Sequence, residues 1–326
     1  MGLAARTAKR FGLPHTPIRL PAEAAEQAAL DWLAAADQPS MDGLNTFVIA
    51  RAVRAHGIKV ALSGLGSDEL FGGYPSFREV PRLRRLARAA GRLPGAARRA
   101  VAAVLTAGRG EGARAKLSDM LAGPGDVASL ALQRRRLLAD DQLAALGLEA
   151  RSLGLTADWL PPEAAATLPD GDDVGWAVSV IESRFYQTNV LLRDSDANGM
   201  AHGLEIRVPF LDQRLLDWGH RLPGPVRFPK DRPPKTLLRE AVPDLLDAEL
   251  LGRPKTGFTL PLPRWMAGPL RPMCEDRLAV VKESGLVRPA GADAVWRSFT
   301  SRPDGPAWSR ALTLVALGDY LKRHAA

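Results

Sequence analysis

The sequence predicts an α/β fold in which a short parallel sheet is followed by a largely helical region. The first observation is an apolar run at residues 58–62 followed at once by glycines, which is typical of a buried parallel strand that ends in a functional loop. The second is an extended segment at 205–210, in which polar and apolar residues alternate. The third is helical spacing of apolar residues through most of the remaining chain, so we expect helices to dominate.

Glycine and proline clusters divide the helical pattern into separate elements. The segments predicted as helices are about 3–11, 22–36 and 46–56, irregular surface helices between 82 and 150, and 176–191. A polar, proline-containing linker at 161–173 separates the last two. No internal repeat is present in the sequence.

The composition is that of an ordinary soluble globular protein, with 46% hydrophobic and 25% charged residues in a chain of 326. No apolar run approaches the roughly 18 residues of a membrane helix, and the first twelve residues lack the apolar core of a secretory signal. The single cysteine, Cys274, excludes an intramolecular disulfide and is expected to be a buried small hydrophobe. We therefore expect a cytoplasmic protein that does not associate with membranes.

The net charge of +8 is concentrated in a few stretches, of which residues 81–100 are the most basic. That stretch contains no aromatic residue, so it lacks the side chains on which nucleic-acid bases stack. A solvated helical face is the favoured interpretation, and contact with a polyanion or a partner is the alternative. We expect no nucleic-acid partner.

The segment SGLGSDELFGGYPSF, residues 63–77, has the strongest chemical signature. It places a serine, four glycines and two adjacent carboxylates directly after a strand, where open α/β sheets bind ligands. Glycines allow the backbone N–H groups to approach a phosphate, and a carboxylate such as Asp68 can hold the Mg²⁺ that accompanies ATP. The segment matches neither of the two common glycine-rich nucleotide motifs. A tight strand-to-helix turn is the structural alternative.

A second chemical segment contains Glu205 and Arg207, which alternate with Ile206 and so share one face of an extended stretch. An arginine can clamp a carboxylate or phosphate, and a neighbouring glutamate can orient it or exchange protons with an amine. A buried salt bridge that locks the segment is an equally good interpretation. Asp212 is expected to cap the helix that follows.

Two lysines, Lys235 and Lys255, each precede a threonine. Lys255 lies in a loop flanked by proline and glycine, a favourable place for a cation that binds phosphate. Lys235 is expected to open a helix on the surface. The five histidines show no zinc-ligand spacing, and the absence of a GxSxG elbow gives covalent hydrolase chemistry no support.

Three motifs in this order, SGLGSDELFGGY, MAHGLEIRVPFLD and RPKTGF, resemble the synthetase domain of glutamine-dependent asparagine synthetases. The upstream segment DQPSMDGLNT, residues 37–46, matches as well. The likeness extends from about residue 4 to about residue 320 and is weakest between about 80 and 175. It implies an adenine-nucleotide-hydrolase-like parallel-sheet domain, incomplete at its N-terminus, with a nucleotide-site part at 1–80 and a mainly helical part at 81–326.

The resemblance implies ATP and Mg²⁺ as cofactors and a reaction in two steps. An aspartate carboxylate is activated as an acyl-adenylate with release of pyrophosphate, and ammonia from a glutaminase domain then attacks to give asparagine and AMP. The residues that the resemblance assigns are Ser63, Gly64 and Gly66 for ATP, Asp68 for Mg²⁺, and Lys255, Glu205 and Arg207 for the adenylation cleft.

Two departures from the family pattern change these expectations. Neither the SGGxDS pyrophosphate loop nor the glutaminase domain occurs in the sequence, so we expect an N-terminally truncated chain that is inactive alone. One side of its sheet would be unpaired and apolar, which predicts aggregation unless another polypeptide covers that side. Leu65 stands where asparagine synthetases carry a glutamate, which weakens the case for aspartate as the acceptor. The alternatives are a non-catalytic, partner-binding subunit and an amidotransferase for another carboxylate in a polysaccharide or secondary-metabolite pathway.

Overall fold

The computed structural model contains a two-stranded parallel sheet. It describes residues 2–18, 22–91, 93–107, 111–169, 171–246, 248–252 and 260–324. Strand β1, Val60–Leu62, pairs with β2, Glu205–Arg207, and Ala61 lies opposite Ile206. The two extended segments recognised in the sequence are therefore the two strands. Within the described ranges, the chain is mixed α/β and mostly helical, as predicted.

Twenty α-helices occupy most of the described residues. They are α1 Gly2–Arg10, α2 Ala22–Ala35, α3 Leu44–Ala55, α4 Ser67–Phe71, α5 Ser76–Ala90, α6 Gly95–Leu105, α7 Glu111–Ala122, α8 Val127–Arg135, α9 Asp140–Ala145, α10 Pro162–Ala165, α11 Val174–Ile181, α12 Arg193–Met200, α13 Gln213–Arg221, α14 Gly224–Arg227, α15 Thr236–Ala241, α16 Ala248–Gly252, α17 Leu262–Ala267, α18 Arg271–Glu283, α19 Pro289–Thr300 and α20 Trp308–His324. Short 3₁₀ turns occur at Arg151–Leu153, Pro209–Leu211 and Pro243–Leu245. Among these elements we find no helix with the length and apolarity needed to cross a bilayer.

The described residues contain two main hydrophobic cores. The larger joins α2 and α3 to the C-terminal helices through residues such as Trp32, Phe47 and Phe299. It also contains Cys274, whose predicted role as a buried small hydrophobe is confirmed. The second joins α5, α8 and α11 around Val80. Full burial of a large apolar side chain contributes roughly 1.5–3 kcal/mol, so these cores supply most of the stabilisation.

The prediction that the first strand is buried is wrong. Val60 and Leu62 are exposed, and Leu62 retains 75% of its accessible surface. Among the described residues the sheet has only two strands, so neither strand is enclosed by neighbours on both sides as in a larger parallel sheet. The outer edge and one apolar face of β1 consequently remain open.

The helix predicted over 176–191 contains two kinds of turn. Its first part is α11, and it continues without interruption as a π-helix, Glu182–Leu192, before α12. Wide turns of this kind are rare and frequently occur at functional sites. Glu182 and Gln187 are buried on its inner side, toward α4 and α8.

Candidate functional site

The loop after β1 is held by backbone and hydroxyl hydrogen bonds. The Ser63 amide donates to the carbonyl oxygen of Arg207 at 2.8 Å, which extends the parallel pairing by one residue. The Ser67 hydroxyl donates to the carbonyl oxygen of Gly64 at 2.8 Å and closes the loop as α4 begins. The glycine-rich segment thus starts from the carboxyl end of a parallel strand, as the sequence predicts.

Gly66 is required at the turn into α4 for two reasons. Its φ of 92° lies in the left-handed region, which strains residues with a side chain. A Cβ at this position would also lie 2.6 Å from Cδ2 of Leu211. The backbone at Gly66 can therefore pack directly against the turn that follows β2.

Asp68 forms an ion pair with Lys235, at 2.8 Å between Oδ1 and Nζ. The ammonium group also donates to the Ser67 hydroxyl at 2.8 Å. Both side chains are partly buried, with 28% of Lys235 and 21% of Asp68 exposed. A cation and a carboxylate are therefore held together at the start of α4, beside the glycine-rich loop.

The backbone of Gly73 lies against this ion pair. A Cβ on Gly73 would lie 1.7 Å from Oδ1 of Asp68 and 2.6 Å from Cε of Lys235. The second glycine of the Gly-Gly pair in the motif is thus explained by the space that the two charged side chains occupy. A side chain larger than hydrogen at this position would displace them.

Lys235 corrects a sequence prediction. It does precede a helix, because it is the N-cap of α15, but its side chain points to Asp68 instead of lying on an open surface. Its φ of 61° is left-handed, and its amide donates to the carbonyl oxygen of Phe71 at the end of α4. The signal that could have identified it is the Pro-Lys-Thr triplet, which occurs again at Lys255.

Glu205 and Arg207 share a face of β2, as predicted, and form an ion pair at 2.8 Å. Their side chains are 55% and 62% exposed, so the alternative of a buried salt bridge is wrong. An exposed pair of this kind contributes little to folding, about 0–1 kcal/mol. The arginine is consequently free to exchange its glutamate for an anionic ligand at low energetic cost.

Two buried charged residues lie at α4, Glu69 within the helix and Arg227 in contact with it, and no local sequence pattern predicted the burial of either. Glu69 accepts a hydrogen bond from the Tyr74 hydroxyl at 2.8 Å, and burial raises the pKa of its carboxyl group. Arg227 donates to the carbonyl oxygen of Leu70 at 2.9 Å and to the Ser179 hydroxyl at 2.7 Å. Burial lowers the pKa of this guanidinium to about 10. These contacts fix the helix that carries Asp68.

Lys255, the predicted phosphate-binding lysine, lies outside the described residues, in the range 253–259. Across the ranges that the structure does describe, no three His, Cys, Asp or Glu side chains converge as a ready-made metal site. The structure brings together the predicted loop residues Ser63, Gly64, Gly66 and Asp68. Lys235, which was not predicted as a site residue, joins them through its ion pair with Asp68. Glu205 and Arg207 lie on the strand paired with β1.

The comparisons with known proteins agree with this arrangement of motifs. The family model described as asparagine synthase matches residues 1–322. A Mycobacterium bovis protein provisionally named a glutamine-hydrolyzing asparagine synthetase is 32% identical over 236 residues, which is 71% of this chain and 34% of that protein. Asparagine synthetase 1 of Bacillus subtilis, also named as glutamine-hydrolyzing, is 28% identical over 71% of this chain and 35% of its own length.

A further relative has a different name. The Gibberella zeae protein Amidase chry2 is 26% identical over 344 positions, covering 96% of this chain and 49% of that protein. The matched part of this chain corresponds to about a third of each of the two asparagine synthetases and about half of the amidase.

Proposed function

This chain belongs to the asparagine synthase family, and we propose that it is the synthetase part of an ATP-dependent amide ligase. The proposed reaction activates a carboxylic acid as an acyl-adenylate and transfers it to ammonia. The residues in the sequence form one synthetase domain, with the nucleotide part at 1–80 and the helical part at 81–326. We propose that ammonia comes from glutamine hydrolysis in a glutaminase domain, and the names of the two relatives describe those proteins as glutamine-hydrolyzing.

The observation that carries this proposal is the Asp68–Lys235 pair at the carboxyl end of β1. A lysine that approaches within 2.8 Å of both Asp68 and the Ser67 hydroxyl can turn toward a phosphate that enters the loop. The glycines before α4 leave the backbone accessible, as a polyphosphate site requires. Ser63, Gly64 and Gly66 are proposed to contact ATP.

The chemistry follows from what these residues can do. An oxygen of the acceptor carboxylate attacks the α-phosphorus of ATP, the bond to the β-phosphate oxygen breaks, and pyrophosphate leaves. Lys235 and Lys255 stabilise the charge that develops on the phosphates. Ammonia then attacks the acyl carbon, and AMP leaves with the electron pair of the broken C–O bond. We propose that Glu205 accepts the proton that the nitrogen releases and that Arg207 holds an anionic group of the acceptor.

The residues present fit a magnesium ion that arrives with the nucleotide. Mg²⁺ is commonly held by one or two carboxylates together with substrate phosphates, and not by an all-protein cage. Asp68 supplies one such carboxylate beside the loop, which agrees with the lack of a three-ligand cluster among the described residues. When bound, the ion would neutralise phosphate charge. Asp68 would hold the ion, and Lys235 would turn from Asp68 toward the phosphates.

The acceptor acid is proposed to be aspartate, with another carboxylic acid as the second candidate. Leu65 favours the second, because it offers no carboxylate at the loop position where asparagine synthetases carry one. The relative that matches 96% of this chain carries the name of an amidase and not of an asparagine synthetase. A partner-binding subunit without catalysis is the remaining alternative.

The experiment that tests nucleotide binding is isothermal titration of MgATP into the wild-type chain and two variants. Lys235→Met removes one charge-assisted contact to phosphate, so we expect affinity to fall about ten- to a hundredfold. Lys230→Met removes an exposed lysine five positions away and serves as the matched control. Wild-type protein that binds neither MgATP nor pyrophosphate would contradict the proposal and favour the non-catalytic subunit.

The acceptor is tested by the exchange of labelled pyrophosphate into ATP. Exchange requires a carboxylate that forms the adenylate reversibly, so a panel of acids is tested without ammonia, which would consume the adenylate. Exchange with aspartate supports asparagine synthesis. Exchange with another acid and not with aspartate supports the second candidate.

A further inference from the structure

Arg135, at the end of α8, contacts three side chains that converge on the site. Its Nε donates to Oε2 of Glu182 at 2.7 Å. Its guanidinium lies 4.3 Å from the ring centroid of Tyr74 and 3.8 Å from that of Tyr186. The arginine is therefore held between two aromatic rings and a buried carboxylate of the π-helix.

Two of these contacts lead to the segment that carries Asp68. Tyr74 donates to Glu69, the residue next to Asp68, at 2.8 Å. Glu182 accepts from the Ser76 hydroxyl at 2.6 Å at the start of α5. Residues 67–76 are thus fastened at Glu69 and at Ser76, and both attachments depend on groups that Arg135 contacts.

We propose that Arg135 is a positioning residue that fixes the orientation of α4, and hence of Asp68, through Tyr74 and Glu69. It comes from the region 82–150, where the sequence offered no chemical signature. The ligand named in the test, MgATP, rests on the proposed function, whereas the positioning of α4 rests on the contacts alone.

The contacts explain why an arginine is needed. Glu182 is 1% exposed, and loss of its cationic partner would leave a buried charge uncompensated. A planar guanidinium can stack on the rings of Tyr74 and Tyr186 while its edge bonds the carboxylate. A lysine would retain the charge beside Glu182 but not the planar stacking that holds Tyr74 in register with Glu69.

The test compares Arg135→Met with Arg134→Met. Arg134 is the preceding residue in the same helix and is ion-paired with Glu79, so its variant loses an ion pair of α8 without touching Tyr74 or Glu182. The Arg134–Glu79 pair is more exposed than the Arg135–Glu182 pair, so the two variants are compared by affinity and by local exchange and not by thermal midpoint alone. Three quantities are measured: the MgATP dissociation constant, the thermal midpoint, and amide hydrogen exchange over residues 67–76. The binding titration is made well below the thermal midpoint, where each variant is folded.

We expect Arg135→Met to weaken MgATP binding about 10- to 100-fold, the usual effect of removing a residue that orients a ligand-binding group. Exchange should rise in residues 67–76 and not in the distant helices α18–α20, and Arg134→Met should match wild type in both. A purely structural role would lower the thermal midpoint without changing the affinity of the folded protein. That result, with unchanged exchange at 67–76, would overturn the inference.

The test still gives an answer if Arg135→Met does not fold or if the wild type does not bind MgATP. If Arg135→Met does not fold, Arg135→Lys retains the charge beside Glu182, and the same rise in exchange and loss of affinity are expected from it. If wild type and Arg134→Met bind no MgATP, the proposed function fails. The exchange data for residues 67–76 then decide the positioning role independently.

Discussion

Gly73→Ala is the most direct test of the space around the ion pair at the site. The φ of Gly73 is outside the left-handed region, so alanine is compatible with the backbone, and the effect of the methyl group is purely steric. The new Cβ would lie 1.7 Å from Oδ1 of Asp68, whereas real Cβ atoms keep at least 3.0 Å from a neighbour. The carboxylate oxygen must therefore move by at least the difference, 1.3 Å.

A displacement of this size breaks the 2.8 Å contact between Asp68 and Lys235 or forces both side chains to rearrange. Loss of a hydrogen bond between charged, partly buried groups costs about 1.5–3 kcal/mol. The gain from replacing glycine at a compatible position is about 0.4–1 kcal/mol. We expect a net loss of about 0.5–2.5 kcal/mol in the free energy of unfolding, together with at least tenfold weaker binding of MgATP.

Urea denaturation measures the first quantity and calorimetric titration the second. The matched control is Gly95→Ala, since a Cβ at the first residue of α6 meets no atom within 4 Å. We expect the control to retain wild-type affinity. Unchanged affinity and stability in Gly73→Ala would refute the inference that Gly73 makes room for the pair.

Three other predictions concern buried groups. Arg227→Met leaves buried acceptors unpaired and should lower the free energy of unfolding in urea by about 1–3 kcal/mol, with exposed Arg221→Met neutral. Cys274 is buried, and burial raises its thiol pKa to about 12, so it should react with a thiol reagent at pH 8 only after unfolding. Burial lowers the Lys116 pKa from 10.5 to about 8. Between pH 8 and 10.5 the native state then binds fewer protons than the unfolded state, so the free energy of unfolding in urea should rise with pH over this range. The rise should be less steep in Lys116→Gln.

Local sequence signals predicted the strands and caps well. The run before Ser63 and the alternation at Glu205 and Arg207 identified β1 and β2, because side-chain alternation and the following glycines are properties of neighbouring residues. Asp212 caps α13 and accepts a hydrogen bond from the Arg214 amide at 2.9 Å, as predicted.

Features that depend on distant residues were not accessible in this way. Lys235 and Ser67 are 168 positions apart, and no local pattern indicates that their side chains meet. The burial of the first strand was overestimated because an apolar run does not reveal which faces the rest of the chain covers. The roles of Ser63, Gly64, Gly66, Asp68 and Lys255 in binding ATP and Mg²⁺ stay predictions.

The π-helix also affects how the chain length of this segment can change in evolution. Its hydrogen bonds join residues five apart, so each wide turn contains one residue more than the corresponding α-turn. If a single residue within Glu182–Leu192 is deleted, one π-turn can therefore become an α-turn, and α11 and α12 can keep their positions on either side of it. A deletion between Glu182 and Gln187 would also rotate one of these side chains relative to the other and so change which side chains face α4. Length variants at this segment are expected to retain the fold while altering the surroundings of the glycine-rich loop.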